Sequence, residues 1–257
     1  MKNVLMVMHA RKIRRCLEAI DSLRIEKVWF KGYTEAQLVS VINRFIEETD
    51  YDNYFIISDD GLPTQEALEK IEAEMGREVV MGWSEYSPGS RYSNVRTKPL
   101  VGWYMAMQKL RLWLVRWGQR AGLGRIVSWI GTRHNPFVML GAPISEVKRQ
   151  PRIFRTYFNG WSLTGMSRKM WLRYPFSLES EIGNQKVFGS DYSVSRRMND
   201  DGVPMWCIRD AHIGHLHSME GFFVGKVKPE VVFDYGLRVQ PPADAAPAPR
   251  IGLGALQ

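Results

Sequence analysis

The apolar positions of the first ninety residues fall into two alternating rhythms. Asn3 to Met8 (NVLMVM) is a continuous apolar run, the pattern of a strand buried on both faces, and Arg11 to Leu23 then places apolar residues at helical spacing. The alternation recurs. Lys27 to Phe30 reads as a second strand, Thr34 as the cap of a helix with Leu38, Val41, Ile42 and Phe45 on one side, and Tyr54 to Ser58 as a third strand. Pro63-Thr64 opens a further helix, TQEALEKIEAEM, and Glu78 to Trp83 returns as a strand. Four strands separated by helices predict an α/β fold with a mainly parallel sheet flanked by helices. In such sheets ligands bind beyond the carboxyl ends of the strands. His9, Lys31 and the run Ser58-Asp59-Asp60 are thereby expected along one edge, with Asp60 an exposed strand end.

The pattern changes after residue 98. Pro99 to Arg125 is rich in tryptophan and basic residues, with Trp103, Met107, Leu110, Leu114 and Trp117 spaced for one helical face and Lys109, Arg111, Arg116 and Arg120 elsewhere. Residues 99–150 read as a basic helical insertion, packed on the domain or turned toward an acceptor or an anionic membrane. From 151 to 239 the pattern is mixed again. FNGWSLTGMSRKMW (158–171) reads as a strand or turn entering a helix, and GSDYSVSRRMNDDG (189–202) sets Asp191 at the start of a helix with apolar Val194 and Met198. WCIRDAHIGHLHS (206–218) begins as a strand and carries His215 and His217 two apart, on one face if extended. The Pro/Ala-rich tail, 240–257, is predicted to be disordered.

Composition narrows the function classes. At 257 residues the chain suits one large domain, and 45% hydrophobic residues mark it as globular. A formal charge of +8 points to an anionic partner. Two distant cysteines, Cys16 and Cys207, fit buried thiols in a reducing compartment and do not have zinc-site spacing. Without a secretory signal or an apolar run approaching ~18 residues, the expectation is a cytoplasmic protein, able to lie peripherally on a membrane. GxGxxG and GxxxxGK[ST] are both absent, which argues against a dinucleotide dehydrogenase or a P-loop NTPase. A nucleotide held here needs a metal for its phosphates, and Asp59-Asp60 offers hard oxygen ligands.

The order of these motifs resembles the GT-A fold glycosyltransferases, in particular the family-2-like inverting enzymes that use nucleotide sugars. ISDDGLP stands where that family ends a strand in an Asp-x-Asp metal motif, WSLTGMSRKMW where a small-residue stretch lines the acceptor pocket, GSDYSVSRRMNDDG where a Gly-Glu-Asp segment precedes a helix, and AHIGHLHS where a late histidine falls. The resemblance covers roughly residues 1 to 220 and implies a single GT-A-like domain with a Rossmann-like amino-terminal half. Residues 1–98 would form the nucleotide-sugar half and 151–239 the acceptor and catalytic half. Two positions depart from the family: Ser58 replaces the first aspartate and Ser190 the glutamate before the base.

The resemblance implies a role for each residue. Asp60 would hold Mn²⁺ or Mg²⁺, with His215 or His217 as a second ligand, since imidazole suits Mn²⁺ better than Mg²⁺. Ser58 and Asp59 would contact the nucleotide-sugar donor, as would His9 and Lys31 from their position at strand ends alone, and Trp161, Gly165 and Ser190 the acceptor. Asp191 would act as the base. The basic Trp-rich segment makes DNA or a membrane-associated glycan or lipid the expected acceptor, with no obligate protein partner. The competing classes are a nucleotidyltransferase on a related fold and a non-catalytic nucleic-acid- or membrane-binding relative.

Overall fold

The computed structural model describes residues 1–9, 11–31, 35–86, 90–99, 110, 117, 121–122, 141–177, 190–216 and 232–233. Thr34, Gly189, His217, Trp103, Met107, Leu114, Lys109, Arg111, Arg116, Arg120 and the tail from 240 lie outside these residues.

The described strands are β1 (Asn3–His9), β2 (Arg11–Lys12), β3 (Glu26–Lys31), β4 (Asn53–Ser58), β5 (Gly61–Leu62), β6 (Val79–Trp83), β7 (Ile153–Thr156), β8 (Thr164–Ser167), β9 (Met205–His212), β10 (Gly214–His215) and β11 (Val232–Phe233). The helices are α1 (Arg14–Asp21), α2 (Glu35–Glu48), α3 (Gln65–Glu72), α4 (Ile144–Val147), α5 (Arg168–Arg173) and α6 (Ser190–Asp200). Seven strands form one sheet in the order β3-β1-β4-β8-β6-β9-β7. β3, β1, β4, β6 and β9 run one way; β8, wedged between β4 and β6, and β7, beside β9, run against them. The fold is α/β with a mainly parallel, mixed sheet.

Two cores explain the continuous apolar runs. Val4 and Met6 of β1 and Tyr54 and Ile56 of β4 face Leu38, Ile42 and Ile46 of α2, Met170 and Trp171 of α5, and Val194 and Met198 of α6. The intervening Leu5, Val7, Phe55 and Ile57 face Ile20 of α1 and Leu68 and Ile71 of α3. With side chains alternating across the sheet, a strand covered on both faces has no solvent side to record as polar residues. Each such fully buried side chain contributes about 1.5–3 kcal/mol.

Helix starts follow local chemistry where it is strong. Thr64 caps α3, its hydroxyl accepting from the Ala67 amide at 3.1 Å. At α1 the expected start at Arg11 is corrected to Arg14, because Arg11 and Lys12 pair as β2 with Phe233 and Val232. That long-range ladder leaves no trace in helical spacing.

Candidate functional site

Parallel register aligns the carboxyl ends of three strands. His9 lies opposite Lys31, and Met8 opposite Ser58. The Asp59 amide donates to the Met8 carbonyl at 3.1 Å, so the aspartate doublet begins as a continuation of the ladder. Asp59 is 1% and Asp60 6% exposed, which corrects the expectation of an exposed strand end at Asp60. Burying carboxylates demands partners.

One partner for Asp60 arrives from far along the chain. β10 pairs antiparallel with β5, Gly214 opposite Leu62 and His215 opposite Gly61, and the Leu216 amide donates to the Asp60 carbonyl at 2.9 Å. Position 214 needs glycine because a Cβ there would lie 2.9 Å from Leu62 Cβ. The pairing sets His215 Nε2 3.1 Å from Asp60 Oδ2.

The other ring nitrogen fixes the tautomer. His215 Nδ1 is 3.0 Å from the Glu85 carbonyl oxygen. A carbonyl only accepts, so Nδ1 carries hydrogen. Nε2 then faces a carboxylate oxygen, and two lone pairs at that separation require a proton or a cation between them. Two neighbouring ligands of an octahedral ion, each at ~2.1 Å, stand about 3.0 Å apart, so the pair suits an ion the size of Mg²⁺ or Mn²⁺. Among the described residues no group of three or more His, Cys, Asp or Glu side chains gathers as a metal cluster. Asp60 and His215 are thus a two-residue donor set, while His217 lies outside the described residues.

The remaining residues expected to contact the donor share this edge. His9 is buried, with its ring edge-on to Trp29 at 5.5 Å, and Lys31 Nζ lies 5.5 Å from the centroid of the same indole. Ser58 is half-buried at the end of β4.

The residues expected to meet the acceptor lie in β8, just before it, and at the start of α6. Because β8 is antiparallel, its first residue, Thr164, lies opposite Ile56 and Met81 near the carboxyl ends of β4 and β6. Trp161, just before it, has φ of 51°, a left-handed conformation that bulky residues rarely adopt. Its ring stacks on Trp171 at 5.7 Å and Phe176 at 5.5 Å, and Nε1 donates to Ser190 Oγ at 3.2 Å. At 5% exposure Trp161 is a buried anchor, and its bond to Ser190 fixes the start of α6 at the same edge. Asp191 follows in the first turn, its Oδ1 accepting from the Tyr192 amide at 2.7 Å. The Asn159 amide, donating to Ser195 Oγ at 3.1 Å, docks the next turn. Gly165 lies within the sheet, where a Cβ would come 2.6 Å from both Met75 Sδ and Phe55 Cε1, so packing accounts for this glycine.

The structure therefore gathers Asp59, Asp60, His215, His9, Lys31, Ser58, Trp161, Ser190 and Asp191 on one edge, with Gly165 inside the sheet. Sequence reading missed Glu85, whose contribution to His215 is a backbone carbonyl with no residue-type signature. Leu110 and Trp117, helical residues within the basic Trp-rich segment, are 49% and 57% exposed. Among the described residues no helix is long and apolar enough to cross a membrane.

No protein-family model matches the chain, and no curated protein sequence matches it. Among solved structures, protein A197 from STIV superposes with a TM-score of 0.42 at 14% identity, covering 84% of this chain and 82% of that one. The inositol-1-phosphate CTP transferase from T. maritima superposes with a TM-score of 0.43 at 12% identity, covering 89% and 97%. Superposition at this level transfers neither residues nor activity.

Proposed function

We propose that the chain is a metal-dependent glycosyltransferase that moves a sugar from a nucleoside diphosphate sugar to an acceptor hydroxyl with inversion. The observation that supports it is the Asp60–His215 pair, set at 3.1 Å at the carboxyl ends of the strands with its tautomer fixed by Glu85. Asp60 and His215 would hold Mn²⁺ or Mg²⁺, which supplies Lewis-acid neutralisation of the leaving diphosphate. Ser58, Asp59, His9 and Lys31 line the donor side of this edge. The acceptor oxygen attacks the anomeric carbon, the bond from that carbon to the diphosphate oxygen breaks, and the nucleoside diphosphate leaves with the electron pair. Asp191 takes the acceptor proton. Ser190 and Trp161 hold the start of α6, and so the base, against the sheet.

The test is a thermal-shift screen of nucleotide sugars with and without Mn²⁺, since a ligand specific to the folded state raises the melting temperature. A shift that needs both components is expected, followed by release of nucleoside diphosphate on adding acceptor. Release of pyrophosphate from a nucleoside triphosphate would instead make the chain a nucleotidyltransferase. Absence of a metal-dependent shift with every nucleotide sugar would sink the reading.

A further inference from the structure

Between β6 and Val95 the chain makes an excursion whose base is clamped by one side chain. The Ser84 amide donates to Asn94 Oδ1 at 2.7 Å, and the Asn94 amide donates back to the Ser84 carbonyl at 3.0 Å. Glu85 and Ser93 then face each other as an antiparallel bridge. On the other side the Gly160 amide donates to the Asn94 carbonyl at 3.0 Å, and a Cβ at Gly160 would lie 2.9 Å from Asn94 Cβ. Asn94 therefore ties the end of β6 to the loop that leads into β8.

The orientation of the amide is fixed by the Ser84 N–H, which needs an oxygen acceptor. That leaves Asn94 Nδ2 buried with no hydrogen-bond acceptor among the described residues. An orphaned buried donor is unfavourable by about 1–3 kcal/mol. Such a cost marks a residue kept for what its other atoms do. Here the oxygen holds Ser84, and Ser84 is the residue before Glu85, whose carbonyl receives His215 Nδ1 at 3.0 Å.

We propose that Asn94 is a positioning residue for His215: by clamping the backbone at Ser84 it aims the Glu85 carbonyl at Nδ1 and so leaves Nε2 directed at Asp60. The inference rests on the reading of Asp60 and His215 as the metal-holding pair. Partners behind a ligating histidine typically change metal affinity 10–100-fold, because they set the ring's tautomer and angle. Asn94 acts one covalent step further back, so the lower end, about tenfold, is expected.

The test uses the full chain and two variants. Asn94→Leu removes the acceptor at similar volume, and Asn94→Asp keeps an oxygen for Ser84. Long-range ¹⁵N–¹H spectra of the imidazole rings report the tautomer without any metal, and Mn²⁺ titration reports the affinity. Wild type is expected to carry the proton at His215 Nδ1. Asn94→Leu should lose that preference and bind Mn²⁺ about tenfold more weakly, while Asn94→Asp recovers the wild-type tautomer. Wild-type protein without hydrogen at Nδ1 would overturn the proposal with no variant needed, as would a folded Asn94→Leu protein with an unchanged tautomer. Failure of the wild type to bind Mn²⁺ would remove the functional reading instead, and the ring spectra would still decide the role of Asn94.

Discussion

Cutting the Asp60–His215 contact should reveal how strongly the two groups are coupled. With a proton between them, His215 Nε2 and Asp60 Oδ2 at 3.1 Å share a charge-assisted hydrogen bond, which contributes about 1.5–3 kcal/mol. Desolvation offsets part of this, and the His215 and Asp60 side chains are 20% and 9% exposed, so a net coupling of about 2 kcal/mol is expected. Single removal is harsher than the coupling, because it leaves the other group buried and unpaired. Asp60→Ala should destabilise by ~3 kcal/mol, lowering Tm by about 6–12 °C for a domain of this size. Urea unfolding of wild type, Asp60→Ala, His215→Ala and the double variant, all in chelator, gives the coupling directly. Repeating the series with Mn²⁺ should stabilise wild type alone. Additivity of the two single changes within ~0.5 kcal/mol would refute the pairing, and equal Mn²⁺ stabilisation of all four proteins would refute its role in holding metal.

Further outcomes follow from other parts of the fold. Asp191→Asn, which keeps an acceptor for the Tyr192 amide, should leave donor binding nearly unchanged and lower transfer at least ~10²-fold in a single-turnover assay. Gly165→Ala should overpack the sheet against Met75 and Phe55 and lower stability by ~1–3 kcal/mol in urea melts, without changing nucleotide-sugar affinity. Burial holds the His212 imidazole below its ordinary pKa, so the unfolded chain binds the extra proton first; stability should fall as pH drops through about 6.5, and His212→Gln should flatten that slope in melts between pH 5 and 7.5. Replacing Lys109, Arg111, Arg116 and Arg120 with Gln should weaken sedimentation with anionic vesicles or retardation of DNA across a salt series, and unchanged behaviour in both assays would remove the anionic-partner reading.

Residues whose environment repeats along the chain were legible in the sequence. β1 and β4 announced themselves because each is covered on two faces, and α2 because Leu38, Val41, Ile42 and Phe45 recur at helical spacing, the first and third inside one core and the others packed against it. The opening of α3 at Pro63-Thr64 was readable because helix starts are set locally, and the Thr64 hydroxyl caps it from three residues away. Asp60 was identified as a metal candidate, yet its burial was not, since the segment that covers it is β10, two residues long and too short to show a period. β2, β5 and β11 are equally short, and only their partners define them. Glu85 acts through a backbone carbonyl that any residue there would display, and the Asn94 side-chain oxygen acts on Ser84, ten positions away, where no local pattern records it.

The place of β8 governs the order in which the molecule can be built. β4 and β6, both encoded within the first ninety residues, do not pair with each other; each bonds to β8, which is supplied only by residues 164–167. Until that segment leaves the ribosome, the early strands present two open edges of almost entirely apolar sequence, the kind of edge that recruits other chains. A fragment ending near residue 98 would therefore keep those edges open. Sheet closure must come late, because the ladder that joins β8 to β4 links residues about 110 positions apart, Asn53 to Ser167, and pairing across such a separation forms slowly.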